Sequence, residues 1–183
     1  MSRSIVFLKG SPSTASRSAV VADAVASEVR RAGLFPVVWS LSDFDPRDVF
    51  FARSDAPAIA SFIQAVQGAA ALVLSTPVYK ATYSGALKAI VDLIPPDALV
   101  GRPILGIATA RLAAHATEVD RAFAALVGFF KARPLATLVV LDGDVQVAGD
   151  VGRLVGASEE KVPHAARDLL QAVNETAPVA ANP

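Results

Sequence analysis

Two loop-like segments of this chain hold the residues whose types and spacing suit ligand chemistry. The first is Gly10-Ser11-Pro12-Ser13-Thr14-Ala15-Ser16-Arg17-Ser18, which follows the short apolar run Ile5–Leu8 and leads into a helical pattern. A phosphate monoester needs backbone N–H groups and hydroxyls converging on its oxygens, preferably at a helix N-terminus. Ser11, Ser13, Ser16 and Ser18 offer hydroxyls, and Arg17 adds a charged fork that fits two oxygens at once. The loop lacks the Gly-Lys-Ser/Thr ending of a Walker A motif and is not Gly-x-Gly-x-x-Gly. That argues against a P-loop nucleotidase and a dinucleotide-binding Rossmann domain. A Ser-rich turn with Ser16 as helix N-cap accounts for the same residues without any ligand.

The second segment is Pro77-Val78-Tyr79-Lys80-Ala81-Thr82-Tyr83-Ser84-Gly85-Ala86-Leu87-Lys88, directly after an apolar run. Together the two loops suggest a ligand with a phosphate and a flat ring. A flavin ring needs an apolar wall and backbone donors and acceptors at its polar edge, while the ring itself does the redox work. Pro77, Val78 and Tyr79 suit the wall, and Lys80 suits an anionic edge. An ordinary strand-to-helix connection explains them equally, with Tyr83 and the Leu87/Ile90/Val91/Ile94 stripe as core or as a subunit contact. His115 reads as a helix-cap or solvated residue and His164 as surface. No His or carboxylate cluster suggests a metal site, and Ser84 lacks the Gly-x-Ser-x-Gly elbow of a serine hydrolase. No side chain stands out as a catalytic acid, base or nucleophile.

The elements that must position these loops alternate along the chain. Ile5–Leu8, Pro36–Leu41, Ala69–Leu74, Pro103–Ala108 and Pro134–Leu141 read as strands. Ser18–Ala32, Pro57–Gly68, Gly85–Ile94, Ala116–Lys131 and Ser158–Asn174 carry apolar residues at helical spacing. Such alternation predicts an α/β fold, a parallel sheet with helices on both faces. Five strands favour the flavodoxin-like order 2-1-3-4-5, which makes strands one and three neighbours at the switch point where ligands bind. The two loops are then adjacent. The reading is a single domain over 1–176, with a disordered tail over 177–183.

Composition narrows the classes further. Hydrophobic residues make up 53% of the chain and the formal net charge is zero. That permits a sizeable core and gives no charge excess for nucleic acid or a membrane surface. With no cysteine there is neither a disulfide nor a thiolate ligand. No apolar stretch reaches the roughly 20 residues that span a bilayer. The expectation is a cytoplasmic protein.

The chain resembles the NAD(P)H-dependent FMN reductases of two-component monooxygenase systems, of the alkanesulfonate and methanesulfonate type. The resemblance is carried by Gly10-Ser11-Pro12, Ser16-Arg17-Ser18, Phe51–Ala58 and above all Thr76–Lys88. Asp92-Leu93 with Pro95, Ala108-Thr109, Ala114-His115 and Val119-Asp120 continue it, so that it runs from about Ile5 to Ala132. It implies a flavodoxin-like flavin reductase with FMN, and NAD(P)H as co-substrate. The phosphate would lie on Ser11, Ser16, Arg17 and Ser18, and the ring on Pro77, Val78, Tyr79 and Lys80. A third loop, containing Thr109 and Arg111, would approach the ring. It implies a flavin-dependent monooxygenase as partner and a homodimer or homotetramer through helix 84–94. A flavoprotein that keeps FMN and reduces quinones, and a non-catalytic descendant, are the alternatives.

Three positions depart from the family pattern. Ser13 stands where an arginine is usual, Ala110-Arg111 where Gly-Gly is usual, and Arg121 where monooxygenase-coupled members often insert a tyrosine. Glycines at 110–111 would allow positive φ and a close ring approach. These departures are expected to affect flavin affinity or the nicotinamide's stacking position; alternatively, Arg111 replaces the lost phosphate charge or reads a different substrate.

Overall fold

The computed structural model describes residues 4–13, 15–148 and 151–176. The sheet is built from β1 (Ser4–Lys9), β2 (Phe35–Ser40), β3 (Ala71–Pro77), β4 (Pro103–Ala110), β5 (Arg133–Pro134) and β6 (Leu138–Leu141). Its order is β2-β1-β3-β4-β5, with β6 also paired to β4, and every pairing is parallel. This is the expected flavodoxin-like order, with the fifth position filled by two short strands, so that the sheet is six-stranded. Pro134, whose nitrogen carries no hydrogen, is tolerated because that nitrogen faces the open edge: the bonds to β4 come from the flanking Arg133 and Leu135 N–H groups, to the Arg102 and Ile104 carbonyls at 2.9 and 3.1 Å.

Continuous apolar runs make the central strands, because both of their faces are covered. All eight residues of β4 are buried, as are Ile5, Val6, Phe7 and Leu8 of β1. Side chains alternate between two cores. Val6, Leu8, Leu72 and Leu74 face α3 (Pro57–Gly68), α4 (Gly85–Val91) and α5 (His115–Phe129). Ile5, Phe7, Ala71 and Val73 face α1 (Arg17–Arg31) and α6 (Ser158–Glu175). Trp39, Phe44 and Phe62 form an aromatic knot under the β2 end, with ring centroids 5.4–5.6 Å apart.

Three features differ from the expectation. β3 starts at Ala71 and continues to Pro77, three residues past Leu74, because Ser75, Thr76 and Pro77 pair with Ile107, Ala108 and Thr109. A short helix α2 (Pro46–Phe50) follows β2, with Asp45 accepting from the Arg47 N–H and Pro46 in the first helical position. An antiparallel pair, β7 (Val145–Ala148) and β8 (Val151–Leu154), follows β6 and packs on α1. The segment read as a tail, 177–183, lies outside the described residues. No helix among the described residues is long and apolar enough to cross a membrane.

Candidate functional site

The loops after β1 and β3 meet at the carboxyl edge of the sheet, and backbone atoms join them. The Gly10 N–H donates to the Ser75 carbonyl at 2.7 Å. The Gly10 carbonyl accepts from Ser84 Oγ at 2.5 Å. The Ser84 N–H donates to Thr76 Oγ1 at 2.8 Å, and Ser84 Oγ also accepts from the Leu87 N–H at 3.0 Å. Ser84 is thus the α4 N-cap and the rivet between the two loops. Gly10 admits this approach because a Cβ there would lie 2.6 Å from Leu87 Cβ. The sequence pattern marked Ser84 as a helix start. Its second bond, to a carbonyl 74 residues away, had no local signal.

On the phosphate side, Ser16 caps α1 by accepting from the Ala19 N–H at 3.3 Å. The N–H groups of Arg17 and Ser18, in the first turn, have no intrahelical acceptor. Ser18 is fully buried and its hydroxyl lies 2.9 Å from Ser16 Oγ. Its own contribution toward a ligand is therefore its backbone N–H, and the hydroxyl shapes the turn. Ser11 Oγ accepts from the Ser13 N–H at 3.2 Å. Arg17 is exposed, and its Nε donates to the Val145 carbonyl at 3.3 Å. The Ser75 hydroxyl, buried beside Gly10, has no hydrogen-bond partner among the described residues.

On the ring side, Pro77 and Val78 are half-buried, and Tyr79 is 47% exposed. The Val78 N–H donates to the Thr109 carbonyl at 2.8 Å, which ties this loop to the β4 end. Tyr79 and Thr82 bond to each other through both backbone pairs, at 2.9 and 3.1 Å. The two residues between them, Lys80 (φ 52°) and Ala81 (φ 64°), are both left-handed, as in a type I′ hairpin turn. Side chains other than Gly, Asn and Asp seldom take that conformation. The turn presents Tyr79 and Lys80 outward. Thr109 is buried in β4, and Ala110 is buried beside it. Arg111 is exposed just past the strand. Neither Ala110 nor Arg111 has positive φ, so this strand end does not need the glycines usual in the family pattern.

His115 is half-buried at the start of α5, and His164 is exposed with Asp168 at 3.5 Å. The larger apolar side chains of α4 and its extension, Leu87, Ile90, Val91 and Ile94, are buried in the chain's own core. The small residues Gly85, Ala86 and Ala89 remain on the outer side, beside the exposed Lys88–Asp92 ion pair. There Ala86, Ala89 and Ile90 line a cavity of about 650 Å³ together with Phe44, Val49 and Phe50. The cavity reaches Ser11 and Pro12 from the β2 side and includes no residue of Pro77–Lys80. It is therefore separate from the edge where a ring would meet the β3 and β4 backbone.

The model of the NADPH-dependent FMN reductase family matches residues 3–146. The chain belongs to this family. It is 38% identical over 143 residues to the FMN reductase (NADPH) of Escherichia coli K12, covering 78% of this chain and 74% of that one. The FMN reductase (NADPH) of Pseudomonas putida KT2440 is 38% identical over 162 residues, covering 86% and 82%. The NADH-dependent FMN reductase SfnE of Pseudomonas putida is 31% identical over 168 residues, covering 87% and 90%. Among solved structures, the apo form of the NADH:FMN oxidoreductase EMOB superposes with a TM-score of 0.82 at 25% identity, covering 96% of this chain and 92% of that one. An archaeal flavodoxin, at TM-score 0.62 and 10% identity, shares the fold.

Family membership makes the chain an oxidoreductase enzyme whose cofactor chemistry is that of FMN and a reduced nicotinamide nucleotide. The residues present fit FMN on this structure's own terms. First-turn N–H groups and serine hydroxyls gather at the α1 N-terminus, the buried Ser75 hydroxyl beside them has no partner among the described residues, and the half-buried Pro77 and Val78 offer an apolar wall.

Proposed function

We propose that the protein reduces FMN with NAD(P)H and releases the reduced flavin to a flavin-dependent monooxygenase that acts on organosulfur compounds or sulfonates. One observation carries the site: the loops after β1 and β3 are riveted together by Gly10, Ser75, Thr76 and Ser84. That rivet holds a phosphate cradle and a ring wall at fixed spacing. FMN held in that cradle would supply the redox chemistry, as the hydride acceptor for the reduced nicotinamide.

The chain's own work is binding and alignment. The first-turn N–H groups of α1 and the positive end of its dipole hold the phosphate dianion. Ser11, Ser16 and the backbone of Ser18 complete the cradle, and Arg17 adds charge. Pro77, Val78 and Tyr79 wall the ring, Lys80 faces its polar edge, and Thr109 and Arg111 border it on the β4 side. No side chain moves a proton in this scheme; the rate comes from holding two flat rings in register. The exposure of Tyr79 and Arg111 leaves one side open for a nucleotide and for flavin exit. Delivery to an oxygenase rests on the resemblance carried by Thr76–Lys88.

The protein works as a homodimer or homotetramer built on helix 84–94. The small outer residues Ala86 and Ala89 and the apolar cavity beside them support that contact, since a second helix can approach closely there. A cysteine-free chain of this kind suits the cytoplasm. The test is NAD(P)H oxidation by purified protein, with and without added FMN. Turnover that requires added free FMN is the expected result. Turnover at full rate with protein-bound FMN alone points instead to a resident-flavin reductase of quinones or similar acceptors. No oxidation and no flavin binding would leave a non-catalytic descendant.

A further inference from the structure

The hairpin β7–β8 is attached to the phosphate side of the site rather than to the sheet. Its antiparallel register pairs Val145 with Leu154, Gln146 with Arg153 and Val147 with Gly152. Val145 is buried, and Val147 and Leu154 pack on the α1 core together with Val20. The base is fastened twice. The Asp144 carbonyl accepts from the Val155 N–H at 2.9 Å and from the fully buried Ser158 hydroxyl at 2.8 Å. From this fixed base the Val145 carbonyl receives Arg17 Nε at 3.3 Å. Among the described residues, the Nη groups of Arg17 have no protein partner.

Gly152 is what lets the hairpin sit so close to α1. A Cβ at that position would overlap the Val20 side chain, lying 2.7 Å from Cγ1 and 2.9 Å from Cβ. Those atoms belong to a short branched side chain that cannot swing away. Any side chain at 152 must therefore lift the strand. Val147, paired with Gly152, lies two residues from the carbonyl that holds Arg17.

We propose that the β7–β8 hairpin is a brace for Arg17, and that Gly152 is a positioning residue for recognition of the flavin phosphate. The Val145 carbonyl takes up Nε and fixes the plane of the guanidinium. The two Nη groups are then presented as a ready-made fork for a phosphate monoester, with less rotamer freedom to lose on binding. The family match stops at residue 146, so β8 and Gly152 belong to the part of the chain beyond it. The proposal rests on the placement of FMN described above.

Riboflavin, which has the ring and lacks the phosphate, separates a bracing role from a merely structural one. Dissociation constants for FMN and riboflavin are to be measured by flavin-fluorescence titration. The proteins compared are the wild type, Gly152→Ala, Gly152→Ala with Val20→Ala, Arg17→Ala, and Arg17→Ala with Gly152→Ala. The expected result is FMN binding weakened about tenfold by Gly152→Ala, the lower end for a charge-assisted contact, with riboflavin binding unchanged. Trimming Val20 should restore most of the FMN affinity, which guards against a folding defect. In the Arg17→Ala background, Gly152→Ala should have no further effect on FMN, because the brace acts only through that side chain. Equal weakening of FMN and riboflavin, or additive effects of the two substitutions, would overturn the brace while leaving the flavin site intact. A wild type that binds FMN no better than riboflavin would overturn the phosphate placement itself, and the brace with it.

Discussion

The loops after β1 and β3 and the loop after β4 all lie at one edge of the sheet, yet they are built differently. The first two are tied to each other through Gly10, Ser75, Thr76 and Ser84, with a glycine pressed against Leu87. The third, Arg111–Ala114, is wholly exposed and is held by the local backbone bonds His115 N–H to Leu112 and Ala116 N–H to Ala113. The tied pair also carries Thr76–Lys88, on which the resemblance chiefly rests, while departures from the pattern include exposed positions of both regions, Ser13 in the first loop and Arg111 in the third. Where two loops are tied together, the residues of the tie are constrained by contacts from both sides. Where a loop only borders the ligand, side chains can change without disturbing the scaffold.

The largest expected effect comes from breaking the tie at its tightest point. Gly10→Ala places a Cβ 2.6 Å from Leu87, inside a packed core, and should cost about 1–3 kcal/mol of stability. It should also weaken FMN and riboflavin binding alike, because both loops shift; thermal melts and flavin titration check this. Unchanged binding of both flavins would mean that loop spacing does not govern the site.

Ser84→Ala comes next. It removes the α4 cap and the donor to the Gly10 carbonyl, worth about 0.5–2 kcal/mol for the cap alone. The melting temperature should fall, and bound flavin should exchange faster by stopped-flow fluorescence. Unaltered exchange together with a lower melting temperature would confine Ser84 to capping.

The third loop should respond more gently. Because Ala110 and Arg111 lack positive φ, replacing both with glycine relieves no strain. The double variant should bind FMN within about threefold of wild type, under 1 kcal/mol. If Arg111 reads the nucleotide, the KM for NAD(P)H should rise in the same variant. A large gain in FMN affinity would show instead that the Arg111 side chain obstructs the ring.

Smallest is a surface effect far from both regions. Hydrogen bonds from Gln171 and then Arg133 hold the Glu175 carboxyl below its ordinary range. A carboxyl depressed in the folded state adds stability above its unfolded pKa, and that stability is lost as pH falls through its folded pKa. Arg133→Ala should therefore raise the Glu175 pKa in an NMR titration and move acid unfolding slightly to higher pH. Flavin binding should not change.

These contrasts also mark what the sequence could convey. The apolar runs Ile5–Leu8 and Ala69–Leu74, each followed by a polar loop, were enough to place both loops at one sheet edge. Ser75 and Thr76 read as loop because they are polar, yet the ladder to β4 keeps them in the strand. Pro134–Leu141 reads as one strand-like run, and nothing in its pattern marks the gap between Pro134 and Leu138. Asp45-Pro46 carried a helix-start signal, and Gly149-Asp150 between two alternating runs carried a hairpin signal. Neither was long enough to stand out from loop. The Ser84–Gly10 rivet and the Arg17–Val145 contact join residues far apart in sequence, and periodicity has no access to such pairs.

The central claim is that the α1 N-terminus reads the flavin phosphate. The most direct measurement is FMN titration of the wild type against Arg17→Ala, with riboflavin as the phosphate-free control. A charge-assisted contact of roughly 1.5–3 kcal/mol predicts FMN affinity lower by about tenfold to a hundredfold in the variant, and riboflavin affinity unchanged. Equal FMN affinity for the two proteins would contradict the account.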